Sequence, residues 1–230
     1  MVKVYGVKLL DEIRFLEMRG LFHACLPKEV CDAASNFKFI AGKQRKVMGE
    51  LLLRAIVFRD YGISSGDLVI DTSEKGKPYL ASHPHIHFNI SHSGDWVVIA
   101  FSSAEVGVDV EKIRDVNLRI AQRFFSVEEK QQLFSLPAKK QMDYFFDLWT
   151  LKESFLKAIG TGLTKPLKSF TIKQTDKGFY LSENEIERQA MLKQIKIERN
   201  YKLSVCSIKD EISERFTVFY TNDLVEMLNC

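Results

Sequence analysis

The 230-residue sequence is poor in the features that would remove it from the ordinary globular class. Its 5 prolines and 12 glycines are too few for collagen-like or low-complexity chains. Its longest apolar run, Trp96 to Phe101, falls far short of the roughly 20 residues of a membrane-spanning helix. Met1 to Arg14 is broken by Lys3, Lys8, Asp11 and Glu12 and lacks the apolar core of a signal peptide, so the cytoplasm is the expected location. The four cysteines (Cys25, Cys31, Cys206 and Cys230) form no C-x-x-C pair, which argues against structural zinc or a disulfide framework and for reduced thiols. Charge of one sign is scarce too: 33 basic against 30 acidic residues leave +3, without the basic excess of a nucleic-acid binder.

What is present is a well-patterned α+β sequence whose length falls between one domain and two. Val2 to Leu9 reads as a strand and Asp11 to His23 as a helix. Lys43 to Tyr61 is a stronger helix, with Val47, Leu51, Ala55 and Phe58 on one stripe and Gly62 as its stop. Short strands are expected at Leu68–Asp71 and Pro78–Ala81. His87–Ser91 and Trp96–Phe101 form a hairpin around a turn at His92–Asp95. Val106 to Val110 alternates strictly, followed by helices over Asn117–Phe125, Ser126–Leu136 (Ser126 capping ahead of Glu129) and Lys139–Ile159. Strands return at Ser169–Lys173, Gly178–Leu181 and Tyr201–Ile208.

A faint repeat runs through this order. Leu53 to Gly62 aligns with Leu151 to Gly160, and Trp96 to Ser103 with Tyr201 to Ile208. Any two helix-Gly-strand units would share part of this likeness.

The chemistry-bearing residues are acids. Asp109 and Glu111 leave the same face of a strand about 7 Å apart at the backbone. Alone they are compatible with a solvated strand face. Glu153 and Lys157, one turn apart on a helix, read equally as a surface ion pair. Together, two strand carboxylates and one helix carboxylate make a donor set suited to Mg²⁺ with phosphate ligands, and the nearby lysine suits developing phosphate charge. His92, among Ser91, Ser93 and Gly94, is placed to meet an anion. His83, His85 and His87 alternate, but Pro84 interrupts them and no thiol lies near, which argues against zinc.

Gly76-Lys77-Pro78, Phe88-Asn89-Ile90-Ser91-His92-Ser93, Gly107-Val108-Asp109-Val110-Glu111 and Trp149-Thr150-Leu151-Lys152-Glu153-Ser154-Phe155-Leu156-Lys157-Ala158 occur in one order. Gly49 to Arg54 and Arg123 to Ser126 fit the same pattern. In this the sequence resembles the Sfp-type 4′-phosphopantetheinyl transferases. The resemblance implies an α+β fold of two similar lobes related by a pseudo-twofold axis, here 1–112 and 113–230. It implies transfer of 4′-phosphopantetheine from coenzyme A to a serine of an apo acyl- or peptidyl-carrier protein, releasing 3′,5′-ADP. Asp109, Glu111 and Glu153 would hold Mg²⁺. Glu153 would serve as base and Lys157 would support the leaving phosphate. Arg45, Lys46, Lys77, Ser91 and His92 would bind coenzyme A. Where relatives carry several basic residues, this chain has Val30, Ala33 and Asn36, which puts contacts to the 3′-phosphate from that segment in question. The likeness also points to Phe124 and Phe125 as a carrier-docking surface, whereas their helical spacing reads as core, the favoured expectation.

Two other readings stay open at this stage. The same three acids could serve an Mg²⁺-dependent phosphodiesterase or nuclease, and the chain could be a catalytically inert module that binds acidic carrier proteins. No membrane or nucleic-acid partner is expected, and the internal repeat favours a monomer.

Overall fold

The computed structural model describes residues 1–175, 178–181 and 190–229. Strand β1 (Val2–Lys8) leads into α1 (Glu12–Glu17), α2 (Arg19–Cys25), α3 (Lys28–Ser35) and the long α4 (Ile40–Tyr61). The small pair β2 (Ile70–Thr72) and β3 (Pro78–Leu80) precedes the hairpin β4 (His87–Ser93) and β5 (Trp96–Ser102). Then come β6 (Val106–Lys112), α5 (Ala121–Phe124), α6 (Val127–Ser135) and the long α7 (Ala138–Ile159). The chain finishes through β7 (Ile172–Thr175), β8 (Gly178–Leu181), β9 (Met191–Gln194), β10 (Tyr201–Ser207), β11 (Ile212–Phe219) and α8 (Thr221–Met227).

Two sheets carry the fold, ordered β11-β1-β5-β4 and β6-β10-β9-β8-β7. They stack through the aliphatic faces the alternation predicts: Val2, Val4, Val98 and Ala100 of the first meet Val106, Val108, Val110 and Val205 of the second. The outer face of the first sheet, with Val97, Ile99 and Phe101, is covered by α4. The outer face of the second is covered by α7 through Leu151, Phe155 and Ala158. The layers are therefore helix, sheet, sheet, helix.

The repeat is real at the level of elements. Both α4 and α7 have 22 residues and stop at a glycine with positive φ, Gly62 (69°) and Gly160 (66°). Each is followed by a short hairpin and a returning strand, and β1 beside β5 corresponds to β6 beside β10. This moves the expected division after residue 112. Strand β6 lies in the second sheet, while β11, from beyond 113, pairs in parallel with β1 in the first.

Other expectations shift locally. The predicted helix over Asp11–His23 breaks at Met18 into α1 and α2. Helix α3 went unrecognised although Val30, Cys31 and Ala34 form its buried stripe. The turn placed at His92–Asp95 narrows to Gly94-Asp95, so His92 and Ser93 are strand residues. Cys31 and Cys206 are free and buried, but Cys25 is disulfide-bonded, contrary to the expectation of reduced thiols throughout. The Ser126 cap is a full capping box with Glu129. Glu129 also forms a wholly buried ion pair with Lys152 at 2.8 Å, and Lys152 donates to the carbonyls of Leu167 and Phe170. That knot fixes α6, α7 and the approach to β7 together, and its Glu129–Lys152 pairing was not read from the sequence.

Candidate active site

The seam between the sheets is where the acids gather. The face of β6 opposite Val108 and Val110 carries Gly107, Asp109 and Glu111, and it turns toward α7. A Cβ added at Gly107 would run into the backbone carbonyl of Ser154 and the amide of Ala158. Glycine is therefore what lets α7 settle directly on β6. That close approach brings Lys157 across the seam: its Nζ lies 2.6 Å from Asp109 Oδ1, 3.0 Å from Ser91 Oγ and 3.2 Å from the carbonyl of Val108.

The two edge strands β4 and β6 meet without a ladder of backbone hydrogen bonds. Instead, side chains of β4 stand in for one. Asn89 Oδ1 accepts the Val108 amide (2.9 Å), Ser91 Oγ accepts the Val110 amide (3.2 Å), and Ser93 Oγ accepts the Lys112 amide (3.1 Å). The same serines donate onward, Ser91 to Asp109 Oδ1 at 3.1 Å and Ser93 to Glu111 Oε2 at 2.7 Å. Period-two spacing puts all three β4 residues on one face, so each meets every second amide of β6. Arg114 completes the environment of Glu111 at 2.9 Å.

Asp109 is buried, and burial raises its carboxyl above the ordinary range against the opposing pull of Lys157. Its Oδ2 is buried with no hydrogen-bond partner. Glu153, half-buried on α7, is pushed up by burial and then by the charge of Asp109, with Glu111 adding to it. Among the described residues no three His, Cys, Asp or Glu side chains already converge closely enough to hold a metal ion. The site is a set of mutually repelling carboxylates that includes the buried, unpartnered Asp109 Oδ2, and Lys157 serves as internal counter-charge.

On the other face of β4, Phe88, Ile90 and His92 look toward α4. There a groove of about 1150 Å³ opens, lined also by Arg45, Lys46 and Glu50 of α4 and by Phe39. His92 is exposed in its wall. Desolvation there, with the Arg45 and Lys157 charges, holds its imidazole below the ordinary pKa. Arg45 donates through Nη2 to the carbonyl of Gly94 at 2.9 Å, while its Nε is buried and unpartnered.

The predicted residues thus divide. Asp109, Glu111, Glu153, Lys157 and Ser91 share one side of the seam, and Arg45, Lys46 and His92 share the groove. Lys77 joins neither, since its Nζ is taken by Glu105 (2.8 Å) and the Ala158 carbonyl (2.8 Å). Ser91 was expected on the ligand side, but its buried hydroxyl is already used by Asp109, Val110 and Lys157. Of the histidine strip, His87 pairs with Glu105. Phe125 is core, as spacing suggested, and Phe124 is half-buried edge-on to Trp149. Asn89, Ser93 and Gly107 were overlooked as site residues. Alternation of small polar residues on β4, matching that of Asp109 and Glu111, is the signal that would have found the first two.

Two family models match the chain: 4′-phosphopantetheinyl transferase, N-terminal, over residues 18–104, and the 4′-phosphopantetheinyl transferase superfamily over 105–206. The chain is 33% identical to 4′-phosphopantetheinyl transferase Sfp of Bacillus subtilis (strain 168), covering 97% of this chain and 100% of that protein. The chain belongs to the Sfp-type 4′-phosphopantetheinyl transferase family. It is 37% identical to 4′-phosphopantetheinyl transferase psf-1 of Bacillus pumilus, across 86% of this chain and 85% of that one. The holo-[acyl-carrier-protein] synthase (AcpS) of Thermotoga maritima aligns at TM-score 0.40 and 20% identity, over 47% of this chain and 64% of that chain. The two family models of the transferase meet at 104/105, in the loop ahead of β6.

Proposed function

We propose that the seam of this transferase carries out Mg²⁺-dependent transfer of 4′-phosphopantetheine from coenzyme A to a serine hydroxyl of an apo acyl- or peptidyl-carrier protein. The observation that carries this reading is the buried, unpartnered Oδ2 of Asp109 beside two further carboxylates, Glu111 and Glu153. Three hard-oxygen donors that repel one another fit Mg²⁺, with substrate oxygens and water completing its shell. When bound, the ion supplies neutralisation of the coenzyme A pyrophosphate.

The chain's own residues account for the rest. His92, Arg45 and Lys46 face the groove as donors for nucleotide phosphates. Glu153, with its raised pKa and no hydrogen-bond partner among the described residues, takes the proton of the carrier serine. The serine oxygen forms the new bond to the phosphorus bearing pantetheine, the pyrophosphate bridge breaks, and 3′,5′-ADP leaves. Lys157 holds Asp109 in place and offers its ammonium to the charge that develops on the leaving phosphate.

The near balance of basic and acidic residues supports a reading without nucleic-acid partners. No helix among the described residues is long and apolar enough to cross a membrane. We place the transferase in the cytoplasm as a monomer. The test is intact-mass spectrometry of an apo-carrier after incubation with coenzyme A, with and without Mg²⁺. A phosphopantetheine adduct on the serine that needs both Mg²⁺ and Glu153 is expected. An unmodified carrier at every Mg²⁺ concentration would overturn the proposal.

A further inference from the structure

Along the side of α4 that faces the groove, three residues one turn apart form a charge ladder. Lys46 Nζ lies 2.9 Å from Glu50 Oε1, and Arg54 Nε lies 3.2 Å from Glu50 Oε2. The two cations are held very differently. Arg54 also donates to the carbonyl and hydroxyl of Ser65, at 2.7 and 3.2 Å, and its side chain is only 5% exposed. Lys46 has Glu50 as its one ion-pair partner among the described residues, and its side chain is 36% exposed. Of the other cations lining the groove, Arg45 is tied to Gly94 and Lys38 sits at the rim next to exposed Phe37 and Phe39.

We infer that Glu50 is a resident counter-anion which occupies Lys46 until a phosphate of coenzyme A displaces it, so that Glu50 sets the affinity of the groove. This rests on the groove being the coenzyme A site. The geometry supplies both halves of the exchange. Lys46, on a flexible and partly solvated stem, can swing from carboxylate to phosphate. Arg54, locked by Ser65, stays behind, so the half-buried Glu50 carboxylate never loses all of its positive neighbours. The phosphate gains Lys46 only against the loss of an existing pair, and the groove binds less tightly than its count of cations would suggest.

The unusual consequence is that removing a groove residue should improve binding. Calorimetric titration of the purified full chain with coenzyme A should show Glu50→Gln lowering Kd by about threefold to tenfold, a scale set by single charge pairs of this exposure. Lys46→Ala should weaken binding, and adding Glu50→Gln to Lys46→Ala should change nothing further, because the competition has no object. Glu50→Asp keeps the charge and should move Kd less than Glu50→Gln does. No tightening in Glu50→Gln, equal tightening without Lys46, or a larger shift in Glu50→Asp would each overturn the role of Glu50. A wild-type chain that binds no coenzyme A would overturn the reading of the groove, and this inference with it.

Discussion

The two halves of the molecule place different residues on the same frame. Aligning α4 with α7 by their terminal glycines sets Ala55 opposite Glu153 and Arg59 opposite Lys157. Pairing β1 with β5 and β6 with β10 sets Tyr5 opposite Asp109 and Val7 opposite Glu111. In the second half Lys157 reaches from the helix to a strand carboxylate at 2.6 Å. In the first, Arg59 reaches from the helix to a strand aromatic, lying 5.0 Å from the Tyr5 ring and 5.0 Å from that of Phe219. One arrangement collects unsatisfied charge, and in the other the acid beside the cation is well partnered: Asp60 accepts from Tyr5, Lys3 and Arg59. The difference lies in what the strand presents to the cation, since helix length and stop are the same.

The sharpest way to break this comparison is to remove each cation or acid in turn. Glu153→Gln and Lys157→Ala should each lower the transfer rate by about 100-fold or more, the scale of a lost general base or charge stabiliser. Arg59→Ala should lower the melting temperature yet leave the initial rate of carrier modification near wild type. A comparable loss of rate in Arg59→Ala would show that the first half shares the chemistry.

Gly107→Ala comes next. Its Cβ has backbone in its way on two sides, so the helix must lift, and the cost should be about 3 kcal/mol in urea denaturation. Gly20→Ala, on α2 with no atom near the added Cβ, should be neutral or stabilise by up to about 1 kcal/mol. Asn89→Ala should follow at about 1–3 kcal/mol, because the buried Val108 amide loses its acceptor. Amide exchange should quicken at Val108 while Val98, within the backbone ladder, stays protected.

The smallest effect concerns pH in metal-free protein. Burial and Asp109 raise the Glu153 carboxyl above its ordinary 4.5. Between the unfolded and folded values the native state holds the proton more tightly than the unfolded chain does. Stability therefore falls as pH rises through that window, and Glu153→Gln should lessen the fall. An unchanged pH profile in the variant would assign the slope to other groups such as Asp109.

The parts legible in the sequence are those where one periodicity dominates. Leu148, Leu151 and Phe155, at three- and four-residue spacing on α7, are buried, and the alternation of Val106, Val108 and Val110 faces the intersheet core. The three acids could be read as a set because strand and helix geometry each dictate which residues share a face. What escaped reading depends on distant partners. Nothing local says that Ser91 turns its hydroxyl to β6, that Lys77 reaches the end of α7, or that Lys152 is buried against Glu129. The strand at 212–219 alternates weakly because it is an edge strand with no fully buried residue, and its pairing with β1 spans nearly the whole chain.

That last pairing bears on how the protein is made. β1 sits in the sheet between β5 and β11, and β11 follows it late in the chain. Its two sheet neighbours therefore become available at very different times, and the parallel β1–β11 contact must wait for more than two hundred residues of chain. Until then the N-terminal sheet has an open edge next to Val4 and Tyr5, a template for pairing with other nascent chains. The slow step in producing this enzyme should be late closure of its first sheet, and overproduction should fail by aggregation before it fails by loss of chemistry.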